Sequence, residues 1–348
     1  MFANPRGTAP RARRTSLRTF VRLFGAVAVI AGPTVIRAQS PRVTCNSSVG
    51  SVSPADACQK ISDIYQFLAP QIGVALSGGN VMLGEAGSLG RPGNSSLVLR
   101  LTAVDGFVPS NPVNLSPTGT ATSSNFGAQR APVPVPSLDA AVSLFQGVAM
   151  GLTNIGGLDV LVGLTYVPDV NKDQVSIRTD GRSFATSYGV RLGILQESAA
   201  IPGLSVSYRR RRLPTTSVGY TSNNDTLSVN KMALTANALR LVAGKHFKFI
   251  GITGGIGRDD IESTSNFNAV INEPAPAPRL QVSAILAQQK VKRNTAFVNL
   301  SIGLPKAQLV GEMGWSSKGT IQQTVNSFDG KLANDAFRYY SLGFGVRY

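Results

Sequence analysis

The sequence predicts an all-β protein: a transmembrane antiparallel β-barrel of about 12 strands, within a range of 10–14, with a small N-terminal helical element. Three observations predict it. Beyond the first forty residues no apolar run is long enough for a membrane helix. Charged residues make up only 15% and glycines number 36 in 348 residues, a poor match to a soluble domain. From residue 97 onward the dominant period is two.

The N-terminus reads as an export signal. Arg6, Arg11, Arg13, Arg14, Arg18 and Arg22 form a basic stretch without acidic residues. An apolar segment, Leu23 to Ile36, follows, and Ile36-Arg37-Ala38 puts a small residue at the cleavage position. The expected organisation is a signal peptide over 1–38, an N-terminal segment over 39–95 and a barrel over 96–348. Seven arginines fall in 1–38, so the remaining chain holds 27 basic and 18 acidic side chains, net +9. Much of the basicity is therefore addressing, and no nucleic-acid partner is expected.

Segment 39–95 predicts a short helix. Pro54 takes the first helical position behind a Ser53 cap, Asp56 lies in the first turn, and Ala57, Ile61, Ile64, Tyr65 and Leu68 share a face. Pro70 is expected just past its end. Cys45 and Cys58 are the only cysteines; in an oxidising compartment they are expected to pair. Lipidation at Cys45 is the alternative, but Arg37 to Thr44 separates it from the apolar segment. The glycines of 71–95 predict tight turns or close backbone approach. The whole segment reads either as a plug in the lumen or as a cap on the periplasmic rim.

Strands are expected at 97–104, 158–167, 184–194, 203–212, 230–243, 247–257, 279–289, 295–304, 307–316 and at the C-terminus, with weaker ones hidden in 136–150 and 317–330. In 184–194, Phe184, Tyr188, Val190, Leu192 and Ile194 alternate with small or charged residues over about eleven positions, the length of a tilted membrane strand. A soluble β-protein, its main rival, would have to pack these rows into a core. Residues 109–137 and 259–278 read as long loops.

The chain ends with Tyr340, Leu342, Phe344, Val346 and Tyr348 alternating with Ser341, Gly343, Gly345 and Arg347. This resembles the C-terminal insertion signal of bacterial outer-membrane β-barrels. The resemblance implies residence in outer-membrane lipid and recognition by the barrel-assembly machinery. A second similarity, of Ser77-Gly78-Gly79-Asn80 and Gly84-Glu85-Ala86-Gly87, is to long-chain fatty-acid transporter-type and uncharacterised barrels.

Catalytic chemistry finds little support. His246 is the only histidine, in what reads as a turn, so a multi-histidine metal site is impossible. Gly251 to Arg258 is glycine-rich but no helix follows, against a dinucleotide loop. Neither cofactor, metal nor enzymatic activity is expected. Arg100 and Arg191 fall on polar strand faces and are candidate lumen charges. Arg209, Arg210, Arg211 and Arg212 are placed at a rim, in reach of lipid headgroups, because charges facing mid-bilayer lipid cost roughly 2–4 kcal/mol each. The expected role is a channel or transporter for small or hydrophobic solutes; the alternative is a structural or adhesive barrel that displays loops.

Overall fold

The computed structural model describes residues 45–47, 55–110, 122–172, 175–222, 225–271, 280–321 and 324–348. The expected signal peptide, Ser53 and Pro54 lie outside them. In chain order the elements are β1 (Cys45–Ser47), α1 (Ala55–Ser77), β2 (Ser95–Pro109), β3 (Asn125–Phe126), β4 (Ala128–Phe145), β5 (Val148–Met150), β6 (Thr153–Ile155), β7 (Gly157–Tyr166), β8 (Val170–Lys172) and β9 (Val175–Thr179). They continue with β10 (Phe184–Leu195), β11 (Gly203–Arg212), β12 (Thr216–Ser222), β13 (Asp225–Phe247), β14 (Ile250–Ile271), β15 (Leu280–Gly303), β16 (Ala307–Ser316), β17 (Ser327–Phe328) and β18 (Phe337–Arg347).

Ten of these strands close a ring: β2, β4, β7, β10, β11, β13, β14, β15, β16 and β18, each antiparallel to the next. β18 returns to β2, with Phe344 opposite Leu99 and Leu342 opposite Leu101. Closure leaves no free edge through the hydrocarbon layer, the condition a spanning sheet must meet. The upper half of β13 leaves β11 and pairs with β12, which extends the sheet through β9 and β8.

Alternation follows directly from the pleat. On β18, Tyr340, Leu342 and Phe344 are 45%, 65% and 50% exposed, while Tyr339, Ser341, Gly343 and Gly345 face inward. On β10, Phe184, Tyr188, Val190 and Leu192 face out while Ser187, Gly189 and Arg191 face in. From Tyr340 to Tyr348 the rows rise about 20 Å at ~3.3 Å per residue and a ~40° tilt, close to the ~25 Å apolar band of membrane barrels. A short-turn end carries Lys248–Phe249 and Leu304–Lys306, and a long-loop end carries the connections after β2, β7, β11, β14 and β16.

Three expectations change. Residues 259–278 are not all loop, because β14 runs to Ile271. Likewise the last part of 109–137, from Ala128 onward, belongs to β4. Above the apolar band the outer face meets water, so strands there lose their alternation in hydrophobicity and keep only their pairing. Pro132, Pro134 and Pro136 sit in β4 below a partner on β2, yet β4 meets β7 only from Ser137 onward. On that unpartnered edge a missing N–H costs no ladder bond.

The third change is Pro70, which lies inside α1 and not beyond it. A proline at 70 cannot bond the carbonyl of Gln66. The Gln289 side chain of β15 donates to that carbonyl instead, at 3.4 Å.

Candidate functional site: the occupied lumen

Helix α1 lies inside the ring, over the long-loop half. Its apolar face packs on strand side chains: the Tyr65 ring meets Phe267 at 5.4 Å, edge to face, and Phe67 stacks on Phe328 at 4.1 Å. Tyr65 donates its hydroxyl to Ser263 Oγ at 2.7 Å. Asp63 accepts from both the backbone and the side chain of Asn326, at 2.8 and 2.7 Å, which ties the helix to the loop before β18.

After Ser77 the chain descends without helix or strand to Asn94, on the short-turn side. A buried irregular segment must satisfy its backbone polar groups, and here the wall supplies the partners. Arg100 donates to the carbonyl of Asn80 at 2.6 Å, Arg209 to that of Val81 at 2.9 Å, and Gln308 to that of Leu83 at 3.1 Å. Arg240 donates to the carbonyls of Gly78 and Gly79, both at 2.8 Å. Glu312 accepts the amides of Gly79 and Asn80 at 3.2 and 2.7 Å. Asn299 Oδ1 accepts the amide of Gly84, at 3.2 Å.

The glycines make the fit possible. Gly84 has φ +76°, and a Cβ on Gly203 would come within 2.9 Å of the Gly87 amide nitrogen. This is the close approach that the glycine content predicts. The stretches 77–80 and 84–87 both lie in this occupied part of the lumen.

The charges converge on three nodes. At the first, Asp139 of β4 meets Arg209 at 2.7 Å, Arg211 at 2.9 Å and Arg100 at 3.2 Å, with every member buried. At the second, Arg191 bridges Asp159 of the wall, at 2.8 Å, to Glu85 of the descending segment, at 3.0 Å. Glu85 also lies 3.3 Å from Arg347. At the third, Arg240 meets Asp259 at 2.6 Å, and Ser77 donates to the same carboxylate.

The sequence-predicted residues divide. Arg100 and Arg191 face the lumen, but as anchors of the inner segment and not as charges along an open path. Arg209 and Arg211 are corrected: they point inward, 0% and 2% exposed, and not at a rim. Alternation is the reason, since odd positions of β11 face in. Arg210 and Arg212 face out, level with Asn237, Asp260 and Lys292, just above the apolar band. Asp139, Asp159, Asp259 and Glu312 were missed. In the sequence Asp139, Asp159 and Glu312 are each a single carboxylate on a strand, and Asp259 sits beside Asp260 and Glu262 with nothing to say which faces in.

His246 is also corrected. It lies in the last residues of β13, before Phe247, rather than free in a turn: Nδ1 lies 2.8 Å from Glu197 Oε2 and Nε2 3.1 Å from the carbonyl of Gly84. Burial opposes ionisation of Glu197, yet bonds from the His246 ring and amide hold its carboxyl below the ordinary value. Cys58 lies buried on α1. The side chain of Cys45 falls outside the described residues, so the Cys45–Cys58 bridge stays an expectation. Among the described residues no group of three or more His, Cys, Asp or Glu is placed to hold a metal.

No protein-family model matches the chain, and no curated protein matches it. Similar solved structures include the outer membrane protease OmpT of Escherichia coli, at 10% identity over 73% of this chain and 96% of that one, with a TM-score of 0.36. A BenF-like porin of Pseudomonas fluorescens Pf-5 is 10% identical over 75% and 99%, with a TM-score of 0.16. OccK2 of Pseudomonas aeruginosa is 10% identical over 76% and 99%, with a TM-score of 0.15. These scores are too low to argue from, and the barrel assignment rests on the hydrogen-bonded ring itself.

Proposed function

We propose that this chain is an outer-membrane barrel, exported by a cleaved signal peptide, that its own residues 55–94 close at rest and that passes small or hydrophobic solutes when part of that segment moves. The short-turn end then faces the periplasm and the long-loop end the exterior. One observation carries the reading. Residues 78–89 are held in the lumen by hydrogen bonds from wall side chains to their backbone, around one small apolar cluster in which Val81, Met82 and Leu83 meet Val98, Ala141, Leu161 and Val310. Water can replace such bonds, at a net of about 1.5–3 kcal/mol each where the partner is charged, and the apolar cluster here is small beside the core that holds α1, so this segment is the part of the plug that can leave.

The test is conductance in a planar bilayer, comparing the intact chain with a variant lacking residues 55–94. Folding of both is checked by the shift in gel mobility on boiling. The intact barrel is expected to be closed for most of the record and the variant to conduct steadily. Anions should be favoured, because removing Glu85 leaves Arg191 and Arg347 facing the lumen beside the Arg100–Arg209–Arg211 node. A correctly folded variant that stays silent would sink the transport reading.

The alternative, a barrel that displays surface structure, draws on the 22–24-residue strands β14 and β15 and on β8, β9 and β12, which raise one wall above the apolar band. An enzymatic role is not proposed. Both ring nitrogens of His246 already have partners, a carboxylate and a carbonyl.

A further inference from the structure

The periplasmic end holds a feature that the passage reading does not use. Between the β13–β14 turn and the β15–β16 turn lies a cavity of about 350 Å³, lined by His246, Lys248, Lys306, Gln308 and Arg347. That is within the range of small-ligand sites, roughly 300–1,000 Å³. Its donors come from three separate elements. Arg347 is held in place, with Nε 3.3 Å from Glu85 and Nη2 donating to Gln308 Oε1 at 3.0 Å. The nearby carboxylates are occupied: Glu85 by Arg191 and Arg347, Glu197 by His246.

Lys248 and Lys306 differ. Among the described residues neither has a carboxylate at ion-pair distance, whereas the neighbouring Lys245 is committed to the carbonyls of Ser198, Ala199 and Ile201. Lys248 also holds φ at 54°, a conformation that glycine or asparagine would take more easily. A lysine kept at a strained position over a cavity points to a use for its ammonium. Around the opening, Phe247, Phe249 and Leu304 are 58%, 60% and 60% exposed. The result is a cationic cavity with apolar lips at the level where a membrane leaflet ends.

We propose that this cavity binds an anionic phosphate group, with Lys248 and Lys306 supplying the charge and Arg347 the directed donor. The proposal rests on the outer-membrane barrel reading above, which sets the depth of the cavity. The apolar lips favour a phosphate carried on acyl chains, such as an anionic glycerophospholipid of the periplasmic leaflet; a soluble phosphate shares the chemistry.

Native mass spectrometry of the refolded full chain in detergent tests it, with phosphatidylglycerol, phosphatidylcholine and inorganic phosphate as probes. One phosphatidylglycerol per barrel should survive activation that strips phosphatidylcholine. The double variant K248Q/K306Q should bind it about ten-fold more weakly, while K318Q, an exposed position in the connection after β16 at the opposite end, should bind normally. Competition by millimolar inorganic phosphate would support the site and assign it to a soluble anion. Equal retention of both lipids with no effect of K248Q/K306Q, or an equal loss in K318Q, would overturn it. Absence of the boiling shift would instead count against the barrel reading.

Discussion

Asp139 is the residue on which most lumenal charge depends. Three guanidinium groups share its carboxylate, and each of the four is almost wholly buried. Removing one partner of a buried ion pair costs about 3–5 kcal/mol, since the remaining charge loses its compensation. Asp139→Asn should therefore unfold at lower urea, or hold its lumenal segment more loosely and show opening events that the intact barrel lacks. A variant with unchanged stability and conductance would mean that water already compensates these arginines. Glu197 gives a pH signature. Its folded-state pKa lies below the ordinary 4.5, so its contribution is fully present above that value and fades as pH falls through the folded value. Acid titration of the folded barrel from about pH 5 downward should show a loss of stability that Glu197→Gln lacks; identical profiles would remove the His246–Glu197 contact from the energetics.

At the scale of the strand, the deciding quantity is which face meets lipid. Leu342 lies in the middle of the outward row of β18, opposite Leu101 of β2. Leu342→Arg should destabilise the barrel by roughly 2–4 kcal/mol, the range for a basic residue near the bilayer midplane. Arg338→Leu, on the same face but at the β18 end, should be nearly neutral. Refolding into vesicles at graded urea measures both, and equal costs would contradict the outward assignment. The elements legible from sequence are the ones within the apolar band, such as β10 and β18, where lipid on one side and polar contacts on the other force alternation. Above it, β14 beyond Asp259 and the first half of β4 carry no such signal, because water replaces lipid and only partner strands determine that the chain is extended. Helix α1 was legible by its apolar face, where Ala57, Ile61 and Tyr65 are buried, and misjudged at its end. Local propensity stops a helix at Pro70, and only a side chain from β15 supplies the missing bond.

Taken whole, the chain runs through its own barrel. Asp56 at the start of α1 accepts from Thr122 near the long-loop end, and Asn94 sits at the short-turn end beside β2. β1 pairs with the loop-proximal end of β15. With the short turns in the periplasm, residues 45–47 and the start of α1 lie on the cell-surface side. A short epitope inserted between residues 47 and 55 should be stained on intact cells; staining only after outer-membrane permeabilisation would invert this topology. The sequence by itself determined the barrel class: the rows of period two, down to the terminal one from Tyr340 to Tyr348, are local patterns imposed by lipid on one face and polar contacts on the other. It also placed Arg100 and Arg191 on the inner face. Only the tertiary structure decided that Arg209 and Arg211 join them, that one aspartate serves three arginines, and that residues 78–89 fill the lumen. Those facts depend on strand register and on residues as distant as Asn80 and Glu312. A charged side chain carries no mark of its partner until the ring closes and brings the two within about 3 Å.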